Sequence, residues 1–137
     1  MNAIRAIMLL LIIFLVACTD RSTPITDLTN RQWQLIEIEG QPPLPSEQAL
    51  SMAFDSTGRI SGFAGCNSFS GSYRVEGTTI SISDVVTTLV ACADDAVTTQ
   101  EMMFHQALQA ATKYELNAGT LTLRDENGVV RLRFQAF

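Results

Sequence analysis

The chain has 137 residues, 47% of them hydrophobic, and a formal net charge of −5. This length suits one domain better than two, and the composition indicates neither disorder nor a repeat array. Arg5 lies in an N-terminal leader, and without it 8 of the 9 basic residues remain against 14 acidic ones. This acidic balance argues against binding to nucleic acid or to an anionic lipid surface through a basic patch.

Residues 1–17 have the pattern of a secretory signal peptide. Arg5 precedes an unbroken apolar run over residues 7–17, which stops at Cys18. These eleven residues would span roughly 16 Å as a helix, about half of a membrane's hydrocarbon core, so we favour a cleaved leader over a permanent anchor. The segment Leu15-Val16-Ala17-Cys18 resembles the bacterial lipobox. This resemblance implies cleavage before Cys18 and attachment of a diacylglycerol to its thiol.

Lipidation of Cys18 would place the protein on a membrane of the cell envelope, because two or three acyl chains anchor a protein stably. Thr19 follows Cys18 where a retention signal for the inner membrane would have aspartate. We therefore expect the protein on the inner leaflet of the outer membrane, facing the periplasm. Asp20, one residue later, leaves the inner membrane as the alternative location. The alternative is an ordinary signal peptide with an incidental cysteine. Residues 18–27 are polar and read as a tether to a domain over residues 28–137.

Two further cysteines, Cys66 and Cys92, remain once Cys18 is lipidated. An even pair in an oxidising compartment predicts a disulfide between them. The alternatives are a nucleophilic thiol and a metal pair. A metal site would need two more soft ligands, whereas the chain offers only His105 and the two cysteines lack short ligand spacing. We therefore predict no metal, no cofactor and no catalytic residue.

Most of the domain shows the two-residue hydrophobic alternation of β-strands. We predict a first strand over residues 33–38 and a short strand over residues 85–89. Three hairpins are predicted around turns at residues 55–58, 76–77 and 126–128, and the last contains the Asn-Gly pair typical of a type I′ turn.

One segment has helical periodicity instead. It begins at Asp94 or Asp95 as N-cap and runs to about Tyr114, with Glu101 at the edge of its apolar stripe. The stripe consists of Val97, Phe104, Leu108 and Ala111. One amphipathic helix among about eight strands predicts a mainly β fold, namely a small antiparallel β-barrel or curled sheet with the helix over one end or side.

The run Gly65-Cys66-Asn67-Ser68-Phe69-Ser70-Gly71-Ser72-Tyr73 resembles the signature of the META domain, the HslJ-like family. Three further segments resemble family motifs in the same order: Trp33-Gln34-Leu35, the threonine-rich run 87–92 that ends in Ala-Cys, and the helix with Glu101. The resemblance covers about residues 28–137. The motif positions are Trp33, Gly65, Cys66, Asn67, Gly71, Tyr73, Cys92 and Glu101.

The resemblance implies a compact barrel of lipocalin-like topology with a helix, a lipoprotein or secreted location, and an association with heat or envelope stress. It implies no defined reaction. Leu89 and Val90 depart from the family pattern, because a basic residue or methionine is expected there. We favour a structural role for the glycine-rich loop over residues 62–73, in which Cys66 pins the loop. The alternative is that this loop forms a recognition surface.

The inventory of reactive groups argues against an enzyme. His105 is expected on a solvated helix flank, and no nucleophile elbow, phosphate loop or metal spacing occurs. Glu37 and Glu39 are expected to face solvent, and Glu101 is expected to be structural, with glutamine tolerated in its place. The preferred hypothesis is a membrane-tethered binding or protective module for an envelope protein or peptide that the sequence does not identify. A small-ligand carrier with a barrel cavity is the alternative.

Overall fold

The computed structural model describes residues 26–137, and β-strands dominate its secondary structure. The predicted signal peptide, Cys18 and tether residues 18–25 lie outside the described residues. The elements in chain order are α1 (Thr26–Thr29), β1 (Gln32–Ile38), β2 (Ser51–Phe54), β3 (Arg59–Phe63), β4 (Ser68–Glu76), β5 (Thr79–Thr87), α2 (Asp95–Ala110), β6 (Lys113–Asn117), β7 (Thr120–Arg124) and β8 (Val130–Ala136).

The sheet closes on itself. Trp33 and Leu35 in β1 are buried and alternate with the exposed Gln32 and Gln34, as expected for a strand with one face in the core. Each strand pairs antiparallel with the next, and β8 pairs with β1, so the eight strands of residues 26–137 form a ring. The predicted mainly β fold with one amphipathic helix is confirmed, and the four-residue α1 is an addition.

Helix α2 begins where the sequence indicates but ends earlier. The Asp94 side chain caps it, accepting a hydrogen bond from the backbone N–H of Ala96 at 2.7 Å. The predicted end near Tyr114 is wrong, because Ala111 has extended backbone angles and Tyr114 is buried in β6. The helix packs against β1, β5 and β8. Apolar periodicity alone does not separate the end of a helix from the buried strand that follows it.

The separate strand predicted over residues 85–89 is also wrong. Residues 85–87 are the end of the continuous strand β5. The register of β5 against β4 shifts between Ser70 and Ser72, and Asp84 has a left-handed φ of 53°. This bulge interrupts the alternation of side chains and makes one strand look like two.

The hairpin turns at residues 55–58 and 125–128 share one geometry. In each turn the glycine alone has a left-handed φ, 86° at Gly58 and 83° at Gly128, and the aspartate at the start caps the loop. The type I′ turn predicted for Asn127-Gly128 is therefore wrong, since that turn requires a positive φ at both residues. The Oδ1 atom of Asp125 accepts hydrogen bonds from the backbone N–H groups of Asn127 and Val129 at 3.0 and 2.9 Å.

Asp55 forms the same two backbone hydrogen bonds, but its surroundings differ from those of Asp125. Hydrogen bonds from the Arg59 backbone and the Thr57 hydroxyl lower the pKa of Asp55. Asp125 is only 5% exposed, and this burial would raise its pKa. The Val129 backbone bond and the Arg131 guanidinium outweigh that effect, so the pKa of Asp125 is lowered.

Charged side chains on β1 and β8 pair with one another. Glu37 contacts Arg133 at 2.6 Å, and Glu39 contacts Arg131 at 2.9 Å. Arg131 also contacts Asp125 at 2.8 Å. Glu37 and Glu39, which the sequence predicts to face solvent, are therefore each engaged by an arginine.

The loops fall into two groups because consecutive strands run antiparallel. The loops after β1, β3, β5 and β7 share one end of the ring, which we call the loop end. The chain enters β1 at Gln32, at the opposite end, where the Phe137 backbone N–H donates to the Gln32 carbonyl at 3.1 Å. The chain therefore arrives from the preceding segment at the end of the ring opposite the loop end.

Candidate functional site: loops held by helix α2

Glu101 joins helix α2 to the loop between β3 and β4. Its Oε2 atom accepts hydrogen bonds from the backbone N–H groups of Cys66 and Asn67 at 3.1 and 2.7 Å. Its Oε1 atom accepts a bond from the Asn67 side-chain amide at 2.8 Å. An ionised carboxylate suits this site because it accepts hydrogen bonds at both oxygens. The sequence predicts that glutamine would be tolerated at position 101. This prediction does not fit a site in which three N–H groups donate to the side chain.

Asn67 extends this contact to a second loop, between β5 and α2. The residue is 5% exposed. Its Oδ1 atom accepts hydrogen bonds from the Thr88 hydroxyl and the Val90 backbone N–H, both at 2.8 Å. Its amide nitrogen also donates to the Val90 carbonyl at 3.2 Å. Asn67 therefore orders the backbone of residues 88–90, which has no regular secondary structure of its own.

The predicted disulfide between Cys66 and Cys92 is present, with Cα atoms 5.7 Å apart. It links the same two loops that Asn67 joins by hydrogen bonds. The sulfur atoms and a Glu101 oxygen lie within 4.8 Å of one another, an arrangement that could hold a metal ion. However, the sulfurs are bonded to each other and the carboxylate is occupied by three N–H donors, so these groups do not fit a metal ion.

His105 does not occupy the solvated position that the sequence predicted. Both ring nitrogens are enclosed and have no hydrogen-bond partner within residues 26–137. The ring packs edge-on against Phe69 and Phe104, with centroids 5.8 and 5.4 Å away. Burial lowers the pKa of His105, and the nearby charge of Glu101 only partly opposes this shift. Burial therefore favours the neutral ring of His105 in this aromatic contact.

The remaining motif residues lie around these loops and in the core. Trp33 is fully buried, and its indole N–H donates to the Leu28 carbonyl at 3.1 Å. Gly65 has a left-handed φ of 115°, and a Cβ on Gly71 would come within 2.9 Å of the Ser83 carbonyl. The Tyr73 hydroxyl donates to the Asp55 carbonyl at 2.7 Å, in the opposite group of loops. Trp33 and Tyr73 therefore do not contribute to the loop end.

Gln100, the neighbour of Glu101, was not identified from the sequence as a site residue. Its Oε1 atom accepts a hydrogen bond from the Leu44 backbone N–H at 2.6 Å, which holds the long loop after β1 against α2. A cavity of about 320 Å³ lies between that loop and the helix. A glutamine within a run of helix-compatible residues gives no signal of this role, because the contact partner is 56 residues away in the chain.

Apolar side chains project from the ordered loop over residues 88–92. Leu89 is 95% exposed and Val90 is 62% exposed. The sequence analysis identified these two positions only as a departure from the family pattern. In the structure the Val90 backbone keeps its bonds to Asn67, and both side chains face solvent.

A family model for the META domain matches residues 26–136. No curated protein matches the chain. A protein structure determined by NMR has a TM-score of 0.67 at 20% identity, over 82% of this chain and 93% of the other. An NMR structure of a protein from Burkholderia xenovorans has a TM-score of 0.63 at 26% identity, over 80% and 83%. A crystal structure of a DUF4847 family protein from Bacteroides vulgatus has a TM-score of 0.61 at 15% identity, over 81% and 95%.

These neighbours show a shared fold and name no activity. Among residues 26–137, no helix is long and apolar enough to cross a membrane.

Proposed function

Because the chain belongs to the META domain family, we propose that it is a lipid-anchored, non-enzymatic binding module of the bacterial cell envelope. In this proposal residues 1–17 are removed as a signal peptide, Cys18 carries the lipid, and residues 18–27 tether the domain to the inner leaflet of the outer membrane. The domain faces the periplasm and acts under heat or envelope stress, as the family resemblance implies. The ring of strands is a small barrel of lipocalin-like topology.

The state of the reactive groups supports a role without catalysis. Glu101 is saturated by N–H donors, Cys66 and Cys92 are bonded to each other, and His105 is enclosed by aromatic rings. A general acid, base or nucleophile must be within reach of a bound substrate. Each of these groups is instead in contact with other groups of the fold.

The observation that carries a binding role is the presentation of Leu89 and Val90. Their loop is ordered by Asn67 and by the disulfide, yet both side chains lie mostly in solvent. Exposed apolar side chains cost solubility and contribute little to the fold, whereas a preorganised loop lowers the entropy lost on binding. The loop is also at the end of the ring opposite the point where the chain enters β1, so a membrane anchor on that side would leave the loop facing away from the membrane.

A first experiment tests the anchor. Cys18→Ser should move the protein from the membrane pellet to the soluble periplasmic fraction. If the variant pellets with membranes as the wild type does, the anchor assignment is wrong.

A second experiment tests the binding surface. Crosslinking in intact cells, followed by mass spectrometry of the purified protein, should recover one envelope protein from the wild type and not from Leu89→Ser. Val129→Ser is the matched control, because Val129 is 50% exposed on another loop at the same end of the ring. Equal recovery from both variants would exclude the loop as the binding surface.

The small-ligand carrier remains the second candidate. A cavity between α2 and the loop after β1 favours it, whereas the large side chains that are fully buried in the core oppose a ligand inside the ring. A small molecule retained through purification, with no crosslinked protein, would favour the carrier.

A further inference from the structure

We propose that the cavity between α2 and the loop after β1 is a peptide-binding groove that takes a large apolar side chain followed by a basic residue. This proposal rests on the proposed function as a binding module and names the chemistry of the partner. We call the site the α2 groove. Its walls are mostly apolar and include Ile38, Pro42, Leu44, Ala96, Thr99 and Met103. A volume of about 320 Å³ is at the lower end of the range for ligand pockets.

The groove is formed without a ligand. The Gln100 side chain holds Leu44 at 2.6 Å, and Ile38 and Gln41 exchange two backbone hydrogen bonds at 2.8 and 2.9 Å. Three prolines at positions 42, 43 and 45 restrict the loop further. Binding of a peptide would therefore lose little conformational entropy in this wall of the site.

Gln100 also supplies an unused hydrogen-bond donor. The residue is only 8% exposed, and it lines the groove. Its Oε1 atom is bonded to Leu44, but within residues 26–137 no group accepts a hydrogen bond from its Nε2 atom. Because this nitrogen is not enclosed, it can exchange a water for a carbonyl acceptor from a ligand. A peptide backbone carries such a carbonyl at every residue.

The rim indicates an occupant larger than the cavity and of positive charge. Leu44 and Met103 are 41% and 39% exposed, so they offer apolar area beyond the groove itself. Asp94 and Asp95 are exposed at the start of α2, and Asp95 precedes Thr99 by one helical turn. No ion pair within residues 26–137 involves either aspartate. A lysine beside the apolar anchor would meet these charges.

The test titrates the exported, membrane-extracted protein with the peptide acetyl-Ala-Phe-Lys-Ala-amide and follows its backbone amide NMR signals. Saturable shifts are expected at Leu44, Ala96 and Thr99 and not at Val129. Replacing the peptide's phenylalanine by alanine should weaken binding at least about tenfold, because most of the buried apolar area is lost. Replacing its lysine by glutamate should weaken binding about threefold or more, as expected for an exposed charge pair.

Met103→Gln and Met102→Gln form a matched pair of variants. Met103 lines the groove, whereas Met102 is 54% exposed on the same helix and does not. Only Met103→Gln should weaken binding of the peptide that contains phenylalanine. Equal affinities for the two variants, equal affinities for the phenylalanine and alanine peptides, or no saturable shift would each overturn the proposal. Saturation by toluene without saturation by the peptide would assign the groove to small apolar ligands instead.

Failure here is distinguishable from failure of the proposed function. If Met103→Gln keeps the crosslinked envelope protein and Leu89→Ser loses it, the binding module stands and the α2 groove is not its peptide site.

Discussion

Gln100 and Glu101 are adjacent on helix α2, and each holds a different loop at the same end of the ring. Gln100 accepts from the backbone of Leu44 at 2.6 Å, and Glu101 accepts from the backbone of Asn67 at 2.7 Å. Successive helix positions point about 100° apart, so one turn of helix can reach the loops on both of its sides. The helix therefore positions both surfaces that we assign to binding.

Replacing Glu101 by glutamine should destabilise the fold. In either orientation of the glutamine amide, its NH₂ group faces an N–H group of Cys66 or Asn67. In the wild type that N–H group donates to the Glu101 carboxylate. Leaving one such donor unsatisfied costs about 1–3 kcal/mol, measured as the free energy of unfolding in urea. Glu126→Gln, an exposed change in a turn, is the control and should have no measurable effect. A Glu101→Gln variant as stable as this control would show that the carboxylate does not hold the loop.

Removing the disulfide should have a larger effect. The two cysteines are 26 residues apart, and the chain-entropy estimate for a loop of this length is roughly 3–4 kcal/mol. The Cys66→Ala/Cys92→Ala variant should therefore unfold at least about 10 °C below the wild type in thermal melts. As a control, reducing agent should lower the melting temperature of the wild type by a similar amount and leave that of the variant unchanged. Identical melting of oxidised wild type and variant would contradict a stabilising role.

The two aspartate-capped turns should respond differently to amidation. An asparagine at position 55 can still accept the bonds from Thr57 and Arg59, because all of them reach one oxygen. Position 125 uses its second oxygen for the Arg131 guanidinium, which an amide NH₂ would repel. Asp125→Asn should thus lower the melting temperature clearly more than Asp55→Asn. The reverse order would contradict the assignment of Asp125 as the ion-paired turn.

The same aspartates predict acid sensitivity. Both have a pKa below the ordinary 3.8 in the folded protein, so the unfolded chain binds more protons as the pH falls. The stability they contribute is complete well above pH 3.8 and is lost as the pH falls through their folded values. In unfolding experiments from pH 6 to about pH 2, Asp125→Asn should differ from wild type most at pH 6. A difference that grows on acidification would have the wrong sign.

His105 predicts a separate loss of stability on acidification, at a pH above the range in which the aspartates titrate. Burial lowers its pKa below the ordinary 6.5, so the fold favours the neutral ring and loses stability as the pH falls below that value. His105→Phe preserves an aromatic contact with Phe69 and cannot be protonated. Its stability should change less than that of the wild type between pH 7 and about pH 5.5. Parallel curves for the two proteins would indicate that His105 does not titrate on unfolding.

The sequence by itself determined the local elements and the chemistry of the cysteines. Alternation over Trp33 and Leu35 identified β1, and the aspartate before an apolar stripe identified the start of α2, because these signals act over a few residues. The parity of the cysteines identified the pair Cys66 and Cys92. The motif around Asn67 marked the right loop, although not what the loop contacts.

Only the tertiary structure decided how distant residues meet. The end of α2, the bulge at Asp84 and the geometry of the turn at Gly128 depend on strand pairing, which local propensity does not encode. The sequence predicted a solvated His105 because the residue that encloses it, Phe69 on β4, is far away in the chain. Gln100 gave no signal, since a hydrogen bond across 56 residues exists only after the ring has closed and the helix has packed on it.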